Sequence, residues 1–117
     1  MRFHRIQIRP NGERVVVRAG GETIAESTRS LILSEGRIPE RIYLPFEDVR
    51  DGALAPTETS THCPFKGDAS YWSLSAGGRT YEDAAFSYLE PLDGVAQIAG
   101  LVCFLHDDVE VEVVAES

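Results

Sequence analysis

The chain has 117 residues, 43% hydrophobic and 26% charged, the make-up of an ordinary globular protein and the size of one domain, 1–117. Its formal net charge of −8, with Lys66 the single lysine, argues against binding nucleic acid through phosphate neutralisation. No apolar run reaches the roughly eighteen residues of a membrane helix, and the basic start Met1-Arg2-Phe3-His4-Arg5-Ile6 has no apolar stretch behind it, so neither a membrane segment nor a secretory signal is expected.

In chain order, the first fifty residues read as a β-meander. Ile6-Gln7-Ile8 alternates, and Pro10-Asn11-Gly12 supplies a tight turn, because Asn-Gly accepts the positive φ angles of a hairpin. Val15-Val16-Val17 follows, rich in the β-branched residues that suit a pleated surface. Gly20-Gly21 turns the chain into Thr23-Ile24-Ala25. Arg29-Ser30-Leu31-Ile32-Leu33 is a fourth strand, Gly36 and Pro39 interrupt it, and Arg41-Ile42-Tyr43-Leu44 resumes extended structure. A short turn or a single helical turn is expected at Phe46-Glu47-Asp48-Val49-Arg50.

Residues 51–62 are polar, with Gly52, Pro56 and three threonines among them, and their composition predicts a long loop. Extended structure returns through Ala69-Ser70-Tyr71-Trp72-Ser73-Leu74. Gly77-Gly78 makes a further hairpin turn into Arg79-Thr80-Tyr81, and Ala84-Ala85-Phe86-Ser87-Tyr88 leads to Pro91. One helical turn is expected between Pro91 and Gly100. Leu101-Val102-Cys103-Phe104-Leu105 is a continuous apolar run, as in a strand buried on both faces, and Val109-Glu110-Val111-Glu112-Val113 alternates as in a strand with one wet, acidic face. These two are expected to pair. Eight or so short strands with little helix imply two packed antiparallel sheets, a sandwich or a barrel.

Charge and cysteine usage narrow the partners. Residues 1–50 carry nine Arg and seven acidic residues, a balance of +2, whereas residues 51–117 carry two basic and twelve acidic residues, a balance of −10. The arginine-bearing half leaves room for a small anionic ligand. Cys63 and Cys103 lie forty residues apart and read as two reduced thiols of a cytoplasmic protein, since a domain of this size has its own core and needs no disulfide.

The segment Thr61-His62-Cys63-Pro64-Phe65-Lys66-Gly67-Asp68-Ala69-Ser70-Tyr71-Trp72 carries the densest set of unlike functional groups. A thiol (Cys63), an ammonium (Lys66) and a carboxylate (Asp68) are candidate catalytic groups, because covalent and acid–base chemistry needs a nucleophile, a cation and a proton acceptor close together. The residue pattern by itself favours a buried Cys before a chain-turning Pro, with Lys66 and Asp68 as a local ion pair. Zinc is not expected. His62-Cys63 and Cys103-x-x-His106 supply donors, but neighbours on an extended chain face opposite ways, and no Cys-x-x-Cys knuckle is present. The Gly-Gly pairs sit in hairpin turns and do not open a helix, so they are not phosphate-cradling loops. Tyr71, Trp72, Tyr81, Phe86 and Tyr88 either fill the core or line a small pocket.

Tyr43-x-Pro45-x-x-Asp48-Val49, the 61–72 segment, Ser87-Tyr88-x-x-Pro91 and Ile98-Ala99-Gly100 together are similar to the bacterial domain-of-unknown-function family four-two-seven, which also carries a nucleotidyltransferase label. The resemblance covers about residues 14–113. It implies a mainly β, β-tent-like fold of two antiparallel sheets packed at an angle, related to the guanine-nucleotide-exchange-factor and zinc-ribbon tent class. The zinc knuckles of that class are missing here, so neither metal nor cofactor is expected, and no residue pattern supports the transferase label. Many members of the family place Trp where this chain has Phe86, so a pocket shaped by that ring would lack an N–H donor.

Two functional readings result. In the first, the chain binds a small anionic molecule at the Cys-Pro-x-Lys-Gly block, through Lys66 backed by Arg29 or Arg50, with Tyr71, Trp72 and Tyr88 as further ligand-binding residues, the question of catalysis being open. In the second, it is a non-catalytic interaction domain that uses its acidic C-terminal half or its edge strands.

Overall fold

The computed structural model describes residues 5–115. Among these residues, ten strands form two antiparallel sheets. The strands are β1 (Ile6–Pro10), β2 (Arg14–Ala19), β3 (Glu22–Ser27), β4 (Leu31–Glu35), β5 (Ile38–Pro45), β6 (Leu54–Cys63), β7 (Gly67–Ala76), β8 (Arg79–Ser87), β9 (Leu101–Phe104) and β10 (Glu110–Val114). The larger sheet has seven strands in the order β1-β4-β5-β9-β8-β7-β6, and the smaller has three in the order β10-β2-β3. The only helical pieces among the described residues are 3-10 turns at Phe46–Asp48 and Asp93–Ile98, both where a turn was expected. No helix among the described residues is long and apolar enough to cross a membrane.

Three expectations about the path of the chain are corrected. The N-terminal meander is broken, because β1 pairs with β4 and β2 pairs with β3 and β10. Pro10-Asn11-Gly12 therefore hands the chain from one sheet to the other and closes no hairpin. The two C-terminal strands do not pair either. β9 lies between β5 and β8 in the larger sheet, and β10 joins β2 in the smaller. Both errors have one cause: local pattern reveals a strand but not the sheet that takes it.

The third correction concerns residues 51–62, which hold most of β6 and not a long loop. β6 is the edge of the larger sheet, paired with β7 from Leu54↔Leu74 to Cys63↔Gly67, with a bulge between Pro56 and Ser60. An edge strand tolerates Pro56, since one side of it has no ladder to satisfy. Its polar composition records solvent on the strand, not absence of structure. The threonines are β-branched and suit extended backbone. The hydroxyls of Thr57 and Thr59 donate to the Asp83 carboxylate at 2.6 and 2.7 Å, fastening the edge onto β8.

The larger sheet is covered on both faces, by different partners. One face packs on the smaller sheet through Val15, Val17, Ile24, Leu44, Leu74, Ala85, Val102 and Phe104. The other carries a second apolar cluster of Leu33, Tyr43, Ala69, Phe86, Tyr88, Val95, Ile98 and Cys103, capped in part by the Asp93–Ile98 turn. This explains the uninterrupted apolar run of β9, where Val102 and Cys103 enter opposite clusters. The two sheets also meet backbone to backbone. The Gly20-Gly21 and Gly77-Gly78 hairpin turns approach so closely that a Cβ on Gly77 would collide with the Gly20 carbonyl.

Candidate functional site

The β6–β7 turn is built by Cys63, Pro64, Phe65 and Lys66. The Lys66 N–H donates to the Cys63 carbonyl at 3.1 Å, and the Lys66 carbonyl accepts from the Leu92 N–H at 2.9 Å, which docks the turn on the segment before the second 3-10 turn. Gly67 leaves the turn at φ +114, a conformation open to glycine. Because this turn reverses the strand, Lys66 points over the sheet face that carries the second cluster, and only 7% of the residue is exposed.

The Lys66 ammonium donates to Glu35 Oε1 at 2.6 Å, and both side chains are 9% exposed. Glu35 ends β4, four positions across the sheet from β7. On a flat sheet that separation would be about 19 Å, more than the two side chains span. The sheet is therefore bent, and the ion pair crosses its concave side. Removing two charges from water is costly, and the pair endures because each charge has the other at hydrogen-bonding distance.

Beside this ion pair lies a cavity of about 290 Å3, at the lower end of the roughly 300–1,000 Å3 usual for small-molecule sites. Cys63, Lys66, Tyr71 and Tyr88 line it together with Glu35, Arg41, Tyr43 and Phe86, and Ile38 and Leu105 stand at its exposed rim. Phe86 is the centre of the aromatic wall, with ring centroids 6.1 Å from Tyr43, 5.9 Å from Tyr71 and 6.0 Å from Tyr88. The Tyr71 hydroxyl is hydrogen-bonded to Thr61 Oγ1 at 3.0 Å. Burial pushes the Tyr88 phenol up to about 12 and raises Tyr43 further, so both remain neutral hydrogen-bonding groups at physiological pH. Cys63 is half-buried at the cavity, whereas Cys103 is 1% exposed behind it with its thiol pushed up to about 12 by burial. Both are free thiols.

Four of the residues singled out from the sequence stand elsewhere. Asp68 pairs with His62 Nδ1 at 2.7 Å on the exposed face of the turn, opposite in register across β6 and β7. It is not the partner of Lys66. Trp72 packs on Phe46, with centroids 5.0 Å apart, beside the cluster between the sheets. Arg29 is bound to Asp48 at 2.8 Å and Glu47 at 3.2 Å. The Ser27 hydroxyl, followed by Arg29, holds the Asp48 carboxyl below its usual range. Arg50 pairs with Glu22 at 3.1 Å and donates to the Ser75 carbonyl at 3.2 Å.

Two charged residues of the cavity, Glu35 and Arg41, were not among the sequence candidates. Glu35 lies thirty-one positions before Lys66, and nothing local announces it, although a single lysine beside an apolar turn calls for a counter-charge. Arg41 had a signal in the period-two pattern, which sets Arg41 and Tyr43 on one face of β5. The residue is half-buried, and its guanidinium donates to the Pro39 carbonyl at 3.3 Å in an exposed hydrogen bond and has no carboxylate partner among the described residues.

No curated protein matches the chain. The whole lining of the cavity, from Glu35 to Leu105, falls within residues 7–115, the stretch that matches the family model described as Domain of unknown function (DUF427), and the chain belongs to that family.

Proposed function

We propose that the protein binds a small anionic molecule in the cavity between the β4–β5 and β6–β7 turns. The observation that carries the reading is the convergence there of Cys63, Lys66, Tyr71 and Tyr88 with Arg41 and an aromatic wall. Small-molecule sites combine apolar walls with a few polar groups that fix orientation, and this lining has that composition. The cleft at Arg29 has its charge already neutralised by Asp48, and the smaller cavity that Arg41 also lines, beside Glu40, Ile42, Phe104 and Val111, has no tyrosine among the described residues of its wall.

Within the cavity Arg41 meets the anionic group, the rings pack on the body of the ligand, and Tyr88 and Tyr71 offer hydroxyls. Lys66 acts from the wall, fixed by Glu35. Should the bound molecule be transformed, Cys63 and Lys66 are the reacting groups within reach, whereas Asp68 is directed at His62 and solvent. A melting-temperature screen with small carboxylates, phosphate and sulfate tests the reading. At least one anion should raise the melting temperature of the wild type, and Cys63→Met, which fills the cavity from its wall, should remove that rise while melting close to wild type. If no anion stabilises the protein, or the rise persists in Cys63→Met, the site assignment fails.

A further inference from the structure

We infer that the ligand is a monocarboxylate with a compact apolar body, and that Arg41 is the residue that selects it. This rests on the reading of the cavity as a ligand site and names the chemistry the site favours. Among the described residues, the charges that line the cavity are two cations, Arg41 and Lys66, and one anion, Glu35. Lys66 donates to Glu35 at 2.6 Å, and the three together sum to one positive charge, which Arg41 carries. A phosphomonoester or a nucleoside triphosphate would bring several negative charges to a site that compensates one, and their desolvation would go unrepaid. A carboxylate brings one charge, and its two oxygens match the planar fork of a guanidinium.

The remaining wall fixes the rest of the molecule. Tyr43, Tyr71, Phe86 and Tyr88 present ring surfaces, with Ile38 and Leu105 at the rim. Such a wall favours a flat or branched hydrocarbon body over a sugar or polyol, whose hydroxyls would be stripped of water against apolar surface. The volume of about 290 Å3 confines that body to roughly one ring or a short chain.

Cys63 makes the inference measurable, because its thiol lines the same cavity. Iodoacetate is itself a small monocarboxylate, and iodoacetamide is its uncharged counterpart. In both, sulfur bonds to the methylene carbon as iodide leaves. Alkylation of Cys63 is followed on the native full chain by peptide mass spectrometry, with glutathione as the reference thiol and buried Cys103 as the internal control. The rate ratio of iodoacetate to iodoacetamide at Cys63 should exceed that of glutathione. Arg41→Gln should lower the iodoacetate rate about ten-fold, the loss expected for one charge-assisted contact, and leave the iodoacetamide rate little changed. Arg41→Lys should restore it in part. Benzoate should protect Cys63 of the wild type from both reagents better than inorganic phosphate does.

The outcomes separate the two levels of the claim. If iodoacetamide labels Cys63 and benzoate protects it, but iodoacetate has no advantage and Arg41→Gln slows both reagents alike, the cavity reading stands and the monocarboxylate assignment is overturned. Stronger protection by phosphate than by benzoate also overturns it. If neither reagent reaches Cys63 in the native protein, the cavity reading falls and the inference with it. Should Arg41→Gln fail to fold, the benzoate and phosphate comparison on the wild type still decides the ligand class.

Discussion

Replacing Lys66 by Met, or Glu35 by Gln, should be far more damaging alone than together. The two groups are 2.6 Å apart with side chains 9% exposed. At an effective dielectric constant of about 20, their attraction is about 6 kcal/mol, against several kcal/mol of desolvation for each ion. Lys66→Met takes the ammonium away from the largely buried Glu35 carboxylate, and Glu35→Gln takes the carboxylate away from the ammonium. Each single change should cost about 3–5 kcal/mol, a large share of the roughly 5–15 kcal/mol that holds a domain together. The double variant carries neither charge and should come back to within about 1–2 kcal/mol of wild type, because a buried ion pair and an uncharged pair of similar volume are often equivalent in stability. Urea denaturation of the four proteins of the cycle, with equal m-values, gives the coupling energy directly. Single losses below about 1 kcal/mol that simply add would refute the reasoning, since they would mean that water reaches both groups.

Two further outcomes test the packing around the site. Gly77→Ala places a Cβ against the Gly20 carbonyl at a φ of +57, so it should destabilise by at least about 2 kcal/mol, whereas Gly78→Ala, with open space around it, should cost only the positive-φ penalty of about 1–2 kcal/mol; equal losses in thermal melts would contradict the close approach of the two hairpins. The Cys103 thiol is raised from 9.0 to about 12 by burial, so between those values the unfolded chain has released a proton that the folded chain retains. Stability should therefore fall as pH rises through that window, by about 1.4 kcal/mol per pH unit for this group, and Cys103→Val should lessen the slope by that amount in pH-dependent urea titrations, the slope that remains above pH 10 belonging to the raised phenols of Tyr43 and Tyr88; an unchanged slope would place the effect elsewhere.

The strands were legible in the sequence where local pattern alone determines them. Val15-Val16-Val17, the Gly-Gly hairpins and the apolar run at 101–105 all read directly, because β-branching, positive φ and burial on both faces leave marks within a few residues. Pairing did not read, because whether β1 joins β2 or β4 depends on which face each strand must bury, a property of the whole chain. β6 was hidden for a related reason: an edge strand wetted by solvent is polar, and its threonines resemble a loop until the Asp83 carboxylate that holds them is seen.

At the site, Cys63, Lys66, Tyr71 and Tyr88 could be grouped from their chemistry and from the family resemblance. The partner of Lys66 could not. Asp68 is two residues away, but Lys66 belongs to the turn, whereas Asp68 is in β7, where it faces away from its buried neighbour Ala69 and lies across from His62. Glu35 arrives from another hairpin because the sheet bends. Arg29 and Arg50 were sensible anion-binding candidates by charge, yet each is already paired with carboxylates. Arg41, which lines the cavity, has only a backbone acceptor among the described residues.

The most direct test of the central claim, a small anion held in the Cys63–Lys66–Tyr88 cavity, is a benzoate titration of the isotopically labelled protein followed by amide and side-chain NMR. Saturable shifts should concentrate on Arg41, Cys63, Lys66, Tyr71, Phe86 and Tyr88, with Arg29 and Arg50 unmoved. Shifts centred on Arg29 and Asp48, or on Arg50 and Glu22, or no saturable shifts at all, would contradict it.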